Sequence, residues 1–288
     1  MPKNEIYIQV DNYQKYSLKQ KEILKLEKKY FDILFNIFSA QQFSDELKAL
    51  MKNINQNYNT IHGIFKKDNV VDLAVERHIN YRVHNHKLLK GKILSIYPSV
   101  ISSDTAFVTD DAVINIDSKT TSVGGSPTDW RRQLVGCNQH SFDNKKNFWA
   151  GDKGIYMKID GYLAKENIHK KPVLSYILST LYHHDRDLKK ESWYEDDKHK
   201  IKPYHGKEKK DKTEIQELFT NNIRLSCIPN GKLSSLFNHS IFTGVKSYYP
   251  AESPLPTNTK SMRIPLMSLA TRYDEAGKDW EGLKSWKI

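Results

Sequence analysis

Cysteine is nearly missing from this chain: Cys137 and Cys227 are the two present in 288 residues. Two thiols are too few for a disulfide framework or a Cys-rich zinc site, so both read as reduced. No run of about 18 apolar residues is present to span a bilayer. The N-terminus, MPKNEIYIQVD, lacks the basic-then-apolar pattern of a secretory leader. Together these absences point to a soluble, cytoplasmic protein with no membrane partner. Fixed-period repeats and long low-complexity tracts are also lacking, which excludes solenoid architectures. Acidic charge is in deficit, with 34 Asp and Glu against 45 Lys and Arg and a net charge of +11. A surplus of that size biases partners toward polyanions, DNA or RNA first. No aromatic pattern of the kind that stacks RNA bases on a sheet supports an RNA module.

The informative stretch runs from Tyr97 to Ser122. Ala112–Asp117 (AVINID) reads as a buried strand, because apolar and β-branched residues dominate it and Asp110-Asp111 precede it as turn residues. Thr105–Val108 (TAFV) reads as the strand before that turn. Two antiparallel strands joined there place Asp104 and Asp117 side by side although they are far apart along the chain. Side chains alternate faces along a strand, so Asp117 and Lys119 project together while Ser118 points away. Two carboxylates suit Mg²⁺, which takes a few oxygen ligands and keeps other positions for water and phosphate. The main-chain carbonyl of Ser118 would add a further ligand. A lysine beside them is placed to orient a water and to offset charge on a reacting phosphate. In an arbitrary protein an Asp-x-Lys at a strand end is a surface ion pair; the partnered acid, the apolar strand and the basic chain set this one apart.

Around that stretch, Lys19–Phe38 carries apolar residues at helical spacing, Ser39–Asn59 reads as a more polar helix and loop, and Asn69–Leu89 as a third helix. Glu76 lies close to the apolar stripe of the third helix and is a candidate auxiliary acid, because that helix leads into the motif. His78, His84 and His86 follow no zinc-site spacing and read as surface residues. Beyond Lys119, the polar segment offers Thr120, Thr121 and Ser122 as phosphate contacts. Arg131, Arg132, Gln133, Asn138 and Gln139 carry side chains able to pair with base edges. Trp130 and Leu134 read as core. Gly154–Leu163 and Pro172–Tyr182 are strand candidates, the second central. Residues 183–214, rich in lysine with interleaved aromatics, form an exposed basic insertion. Asn222–Ile228 and Met262–Leu269 are later strands, with Pro265 pushing the last toward a sheet edge. Lys246 and Lys260 are further DNA-contact candidates on charge alone. The fold expected is α/β, a mixed central β-sheet flanked by helices with β-rich insertions, in a single domain covering residues 1–288.

The chain resembles the PD-(D/E)xK nuclease superfamily and, within it, the type II restriction endonucleases. Asp104 matches the first acid of that pattern, and Asp117-Ser118-Lys119 matches the acid, spacer and lysine. Ser103, not proline, precedes the first acid; Pro98 stands six residues before it. IDSKTTS with its Gly-rich loop looks like the EcoRV-like branch, whose members approach DNA from the minor-groove side, and RLSCIPNG is similar to BglI-like enzymes. The resemblance implies a restriction-endonuclease-like core and Mg²⁺-dependent, sequence-specific double-strand cleavage of DNA that leaves 5′-phosphate ends. It also implies a homodimer on a palindromic site and a cognate DNA methyltransferase encoded nearby. Twofold symmetry independently explains how one short sequence directs cutting of both strands. Two alternatives stay open at this point. One is a structure-specific repair or recombination nuclease of the same superfamily, and the other is a DNA-binding protein in which Asp104 and Asp117 are only structural.

Overall fold

The computed structural model describes residues 17–57, 60, 70–97, 104–123, 127–135, 139–141, 148–150, 155–157, 170–184, 192–195, 200–204, 216–236, 245–247, 260–269 and 272–286. Cys137, Asn138 and most of the 183–214 segment lie outside them.

Helix α1, Leu18–Phe38, starts at a capping box: the Ser17 hydroxyl accepts from the Gln20 amide, and the Gln20 side chain accepts from the Ser17 amide. It buries Ile23, Leu24, Tyr30, Phe31, Leu34 and Ile37 at helical spacing. Helix α2, Gln41–Gln56, buries Phe43, Leu47, Met51 and Ile54. Helix α3, Val70–Asn85, buries Val71, Val75, Ile79 and Val83, one residue per turn. It ends sooner than the Leu89 expected from the sequence. Turns follow it, and Gly91 at φ +77° supplies a left-handed conformation that a side chain would resist.

The strands are β1, Ser95–Tyr97; β2, Thr105–Val108; and β3, Val113–Ser122. A short helix α4, Pro127–Arg131, leads into β4, Arg132–Val135. Next come β5, Phe148–Ala150; β6, Ile155–Met157; β7, Val173–His184; β8, Ser192–Glu195; β9, Ile201–Tyr204; and β10, Gln216–Ile228. The C-terminal part adds β11, Val245–Ser247; β12, Lys260–Pro265; β13, Arg272–Tyr273; β14, Asp279–Trp280; and β15, Leu283–Trp286. Six of them form one mixed sheet in the order β1-β2-β3-β7-β10-β15. Its β3–β7 pairing is parallel and the others are antiparallel. A three-stranded sheet has the order β11-β12-β4, and β5–β6 and β8–β9 are separate hairpins. The β-rich insertions expected from the sequence are these smaller units.

Four details differ from the sequence expectations. Strand β3 continues through Thr120, Thr121 and Ser122 instead of turning into loop after Lys119, because its ladder with β7 runs to Ser122↔Tyr182. Strand β12 is the middle strand of its sheet, not an edge; Pro265 sits at the strand's last position, where its missing N–H interrupts no interior rung. Strand β15, which closes the large sheet, carries too short an apolar pattern to stand out. His78 and His84 are not simple surface residues: His78 bridges to Glu46 and stacks on Phe43, and His84 meets Phe107 edge-on.

One buried ion pair ties the first helix to the last strands. Glu27, 0% exposed, faces the Arg272 guanidinium at 3.3 Å and accepts from the Asn230 amide at 2.7 Å. Burial pushes the Glu27 carboxyl up, against the pull of Arg272 and that amide. Arg272 also donates to the Cys227 carbonyl and lies over the Trp280 ring. Gly282 belongs to the same knot: a Cβ there would collide with the Arg272 guanidinium and the Leu269 carbonyl. Replacing Arg272 with methionine strands a buried charge, and urea unfolding is expected to show a loss of about 3–5 kcal/mol. The double variant Glu27→Gln/Arg272→Met should recover part of that loss; equal losses in the two variants would contradict the assignment.

Candidate active site

The β2–β3 hairpin assembles the site. Thr105 pairs with Ile116, so the register carries Asp104 opposite Asp117. The turn between the strands is fastened at Asp111, whose carboxylate accepts from Lys29 at 2.5 Å and from the Tyr30 hydroxyl at 2.6 Å. Asp104 reaches across the hairpin and accepts from the Ser118 amide at 2.5 Å. Asp117 is 2% exposed. Its Oδ2 meets the Lys119 ammonium at 2.6 Å, and its Oδ1 accepts from the Gln139 amide at 2.6 Å. Lys119 stays partly open to solvent while the carboxylate beneath it is closed off.

Burial pushes the Asp117 carboxyl up to about 7; Lys119 opposes the shift, while Asp104 and Glu76 add to it. Asp104 is also raised by burial, against the Ser118 amide, Lys119 and a hydrogen bond with Glu76. Glu76 is raised by burial first and by the charge of Asp104 second. These acids therefore press on one another in a region where water screens them poorly.

Helix α3 contributes one acid that the sequence reading missed. Asp72 precedes Glu76 by one helical turn, accepts from the Thr120 hydroxyl, and feels the Lys119 charge. Its burial raises it as well. The i, i+4 spacing of Asp72 and Glu76, one position after Val71 and Val75, was the available signal. Asn80 of the same helix donates to the Asp104 carbonyl, fixing the approach of α3 to the hairpin.

The structure thus brings Glu76, Asp104, Asp117, Ser118 and Lys119 together. Thr120 is turned onto Asp72, Thr121 is buried, and Ser122 is half-buried at the end of β3. Arg131 is half-buried, Arg132 is exposed and Gln133 is buried at the α4–β4 junction. Gln139 is engaged with Asp117. Trp130 is fully buried, as expected of a core residue. Lys246 and Lys260 lie on the paired strands β11 and β12, at Lys246↔Ser261 and Ser247↔Lys260.

A mixed sheet flanked by helices, with an acid facing an Asp-x-Lys across a hairpin, defines the restriction-endonuclease class of fold. Solved structures agree on that fold. Restriction endonuclease BglI bound to its DNA recognition sequence matches with a TM-score of 0.52 at 14% identity, over 93% of this chain and 92% of that one. Tetrameric restriction endonuclease SfiI bound to cognate DNA matches with a TM-score of 0.52 at 16% identity, over 96% of this chain and 88% of that one. No curated protein matches the chain. Residues 19–186, more than half of the chain, match the family of the type II restriction enzyme MwoI, N-terminal domain, and the chain belongs to that family. It is a type II restriction endonuclease.

Next to Gln139, His140 is 1% exposed, and burial pushes its imidazole down to about 3. The unfolded chain protonates this histidine near pH 6.5, whereas the folded chain keeps it neutral until about 3. Its contribution is complete above pH 6.5 and is lost as pH falls toward 3. Urea unfolding at pH 7.5 and pH 5 should show wild type losing about 2 kcal/mol more than His140→Gln over that interval. Equal losses would refute the shift.

Proposed function

We propose that this enzyme makes sequence-specific double-strand cuts in DNA by Mg²⁺-dependent phosphodiester hydrolysis, leaving 5′-phosphate and 3′-hydroxyl ends. One observation carries this reading: the Lys119 ammonium rests 2.6 Å from the buried Asp117 carboxylate, at the hairpin position that faces Asp104.

Asp104 and Asp117, with the Ser118 carbonyl, would hold the Mg²⁺. Among the described residues no group of three or more acidic, histidine or cysteine side chains is gathered as a metal cage. Mg²⁺ requires no such cage, since it binds through one or two carboxylates and keeps several waters. The donor set fits in a second way, because these carboxylates are raised by burial and by each other, a strain that a divalent cation would relieve. When bound, the ion lowers the pKa of the attacking water and offsets charge developing on the phosphate. Lys119 orients that water and adds a positive charge beside the reacting phosphate. Glu76, held against Asp104, serves as the auxiliary acid through which a proton leaves the site.

DNA as substrate is supported by the +11 charge and by the bound DNA in the BglI and SfiI structures. We assign base contacts to Arg131, Arg132 and Asn138, and phosphate contacts to Thr121, Ser122, Lys246 and Lys260, with Thr120 joining them only if it leaves Asp72. Gln133 and Gln139 would have to leave their present positions to read bases. The same reading takes residues 1–288 as one domain, a homodimer as the cutting unit, and a cognate methyltransferase as the genetic partner.

Plasmid digestion with Mg²⁺ tests the proposal. Wild type should give discrete fragments whose run-off sequencing shows one common end sequence. Lys119→Ala and Asp117→Ala should each lower the rate by about 10²–10⁴-fold. Full activity in either variant, or ends without a common sequence, would refute it.

A further inference from the structure

Register divides the large sheet into two unlike faces. Paired residues on neighbouring strands share a face, so Lys119, Ser179, Arg224 and Ser285 form one row across β3, β7, β10 and β15. Asp117, Ile177, Ser226 and Leu283 form the next row on the same face. This is the cutting face, and it holds a second cation that the proposed mechanism does not use. Arg224 is 1% exposed in the middle of the sheet. Burying a guanidinium there is costly and calls for a specific counterpart.

One counterpart is aromatic. The Arg224 guanidinium lies 4.4 Å from the centre of the Trp130 ring, and its Nε donates to the Ser285 hydroxyl at 3.3 Å. Trp130 is itself 0% exposed and packs with Val123 and Leu181 at the end of the cutting face. It belongs to α4, which continues without a break into β4, the strand carrying Arg132 and Gln133. Strand β4 in turn pairs with β12. The contact of Arg224 with Trp130, together with the packing of Trp130 against Leu181 of β7, therefore joins the sheet that carries Asp117 and Lys119 to the segment that carries Arg131 and Arg132.

We propose that Arg224 is a positioning residue: by stacking on Trp130 it sets where the α4–β4 segment stands over the cutting face, and so couples site reading to cleavage. This inference rests on the nuclease function proposed above. Ser179 suits the role, since its small side chain lies between Lys119 and Arg224 in the row and leaves both cations room. Planarity is what the stack requires, so an ammonium of equal charge is a poor substitute.

The test uses the full chain and a plasmid carrying the mapped recognition site, with a second plasmid altered at one base pair. Measured for each variant are kcat, KM, the ratio of kcat/KM between the two plasmids, and the melting temperature. Trp130→Leu and Arg224→Met remove the stack, and each should raise KM about tenfold and narrow the ratio, with kcat within about threefold of wild type. Trp130→Phe keeps a ring face and should stay near wild type, whereas Arg224→Lys should raise KM about threefold despite its charge. Unchanged KM and ratio in the two stack-removing variants would overturn the proposal, as would equal impairment by Trp130→Phe and Trp130→Leu. If those two variants do not fold, Arg224→Lys decides, and a wild-type KM there overturns it. Failure of wild type to cut either plasmid would refute the nuclease function itself, whereas cleavage without a KM difference among variants refutes only the positioning role.

Discussion

The site depends on the parallel ladder between β3 and β7. It runs the full ten residues of β3, from Val113↔Val173 to Ser122↔Tyr182. Parallel strands are buried on both faces, and register slips are costly because each would exchange the faces of every side chain. That constraint holds Asp117 and Lys119 on one side of the sheet and Thr120 on the other. The antiparallel hairpin with β2 then has one register in which its apolar residues stay inside, and that register sets Asp104 against Asp117. Asp104, Asp117 and Lys119 are thus positioned by the burial of Ile114, Ile116, Ile177 and Leu178 around them.

The two faces of the sheet have divided the work. One is covered by α1, α2 and α3 and carries Ile114, Ile116, Tyr176 and Leu178 in the main hydrophobic cluster. The other carries Asn115, Asp117, Ser175, Ser179, Arg224 and Ser226, all nearly inaccessible. Polar groups in such a place lower stability unless they are satisfied. Gln139 on Asp117 and Trp130 on Arg224 are two of the contacts that compensate. A polar buried face makes sense where a charged substrate must be met by side chains already stripped of water.

The hairpin acid pair was legible in the sequence because strand periodicity and turn residues alone determine it: Asp104, TAFV, Asp-Asp, AVINID and Lys119 can hardly pair any other way. The three helices were legible from apolar spacing, and the family resemblance followed from the same few residues. Other parts depend on contacts between distant segments, which local pattern does not encode. Asp72 looks in sequence like any acid in the first turn of a helix, and only its approach to Thr120 gives it a place in the site. Gln139 looks like a base reader until its amide is found on Asp117. Arg224, in NIRLSCI, alternates as an outward-facing polar residue should, yet the α4–β4 segment covers it. Strand β15 is recruited by β10 more than by its own composition.

Helix α3 shows how stability and chemistry are joined. Its buried stripe of Val71, Val75, Ile79 and Val83 fixes the rotation of the helix against the core. Asp72 and Glu76 stand one residue after the first two of those valines, so the packing that buries the stripe also turns both carboxylates toward β3. The Thr120 hydroxyl then holds Asp72, and a hydrogen bond with Asp104 holds Glu76. The cost is a cluster of acids that burial and mutual repulsion hold above their ordinary range. The Glu27–Arg272 knot adds a second buried charged cluster, which ties α1 to the end of β10 and the C-terminal strands. Relaxing the acid cluster would ease folding, but it would also remove the carboxylates to which the proposed mechanism assigns the cation.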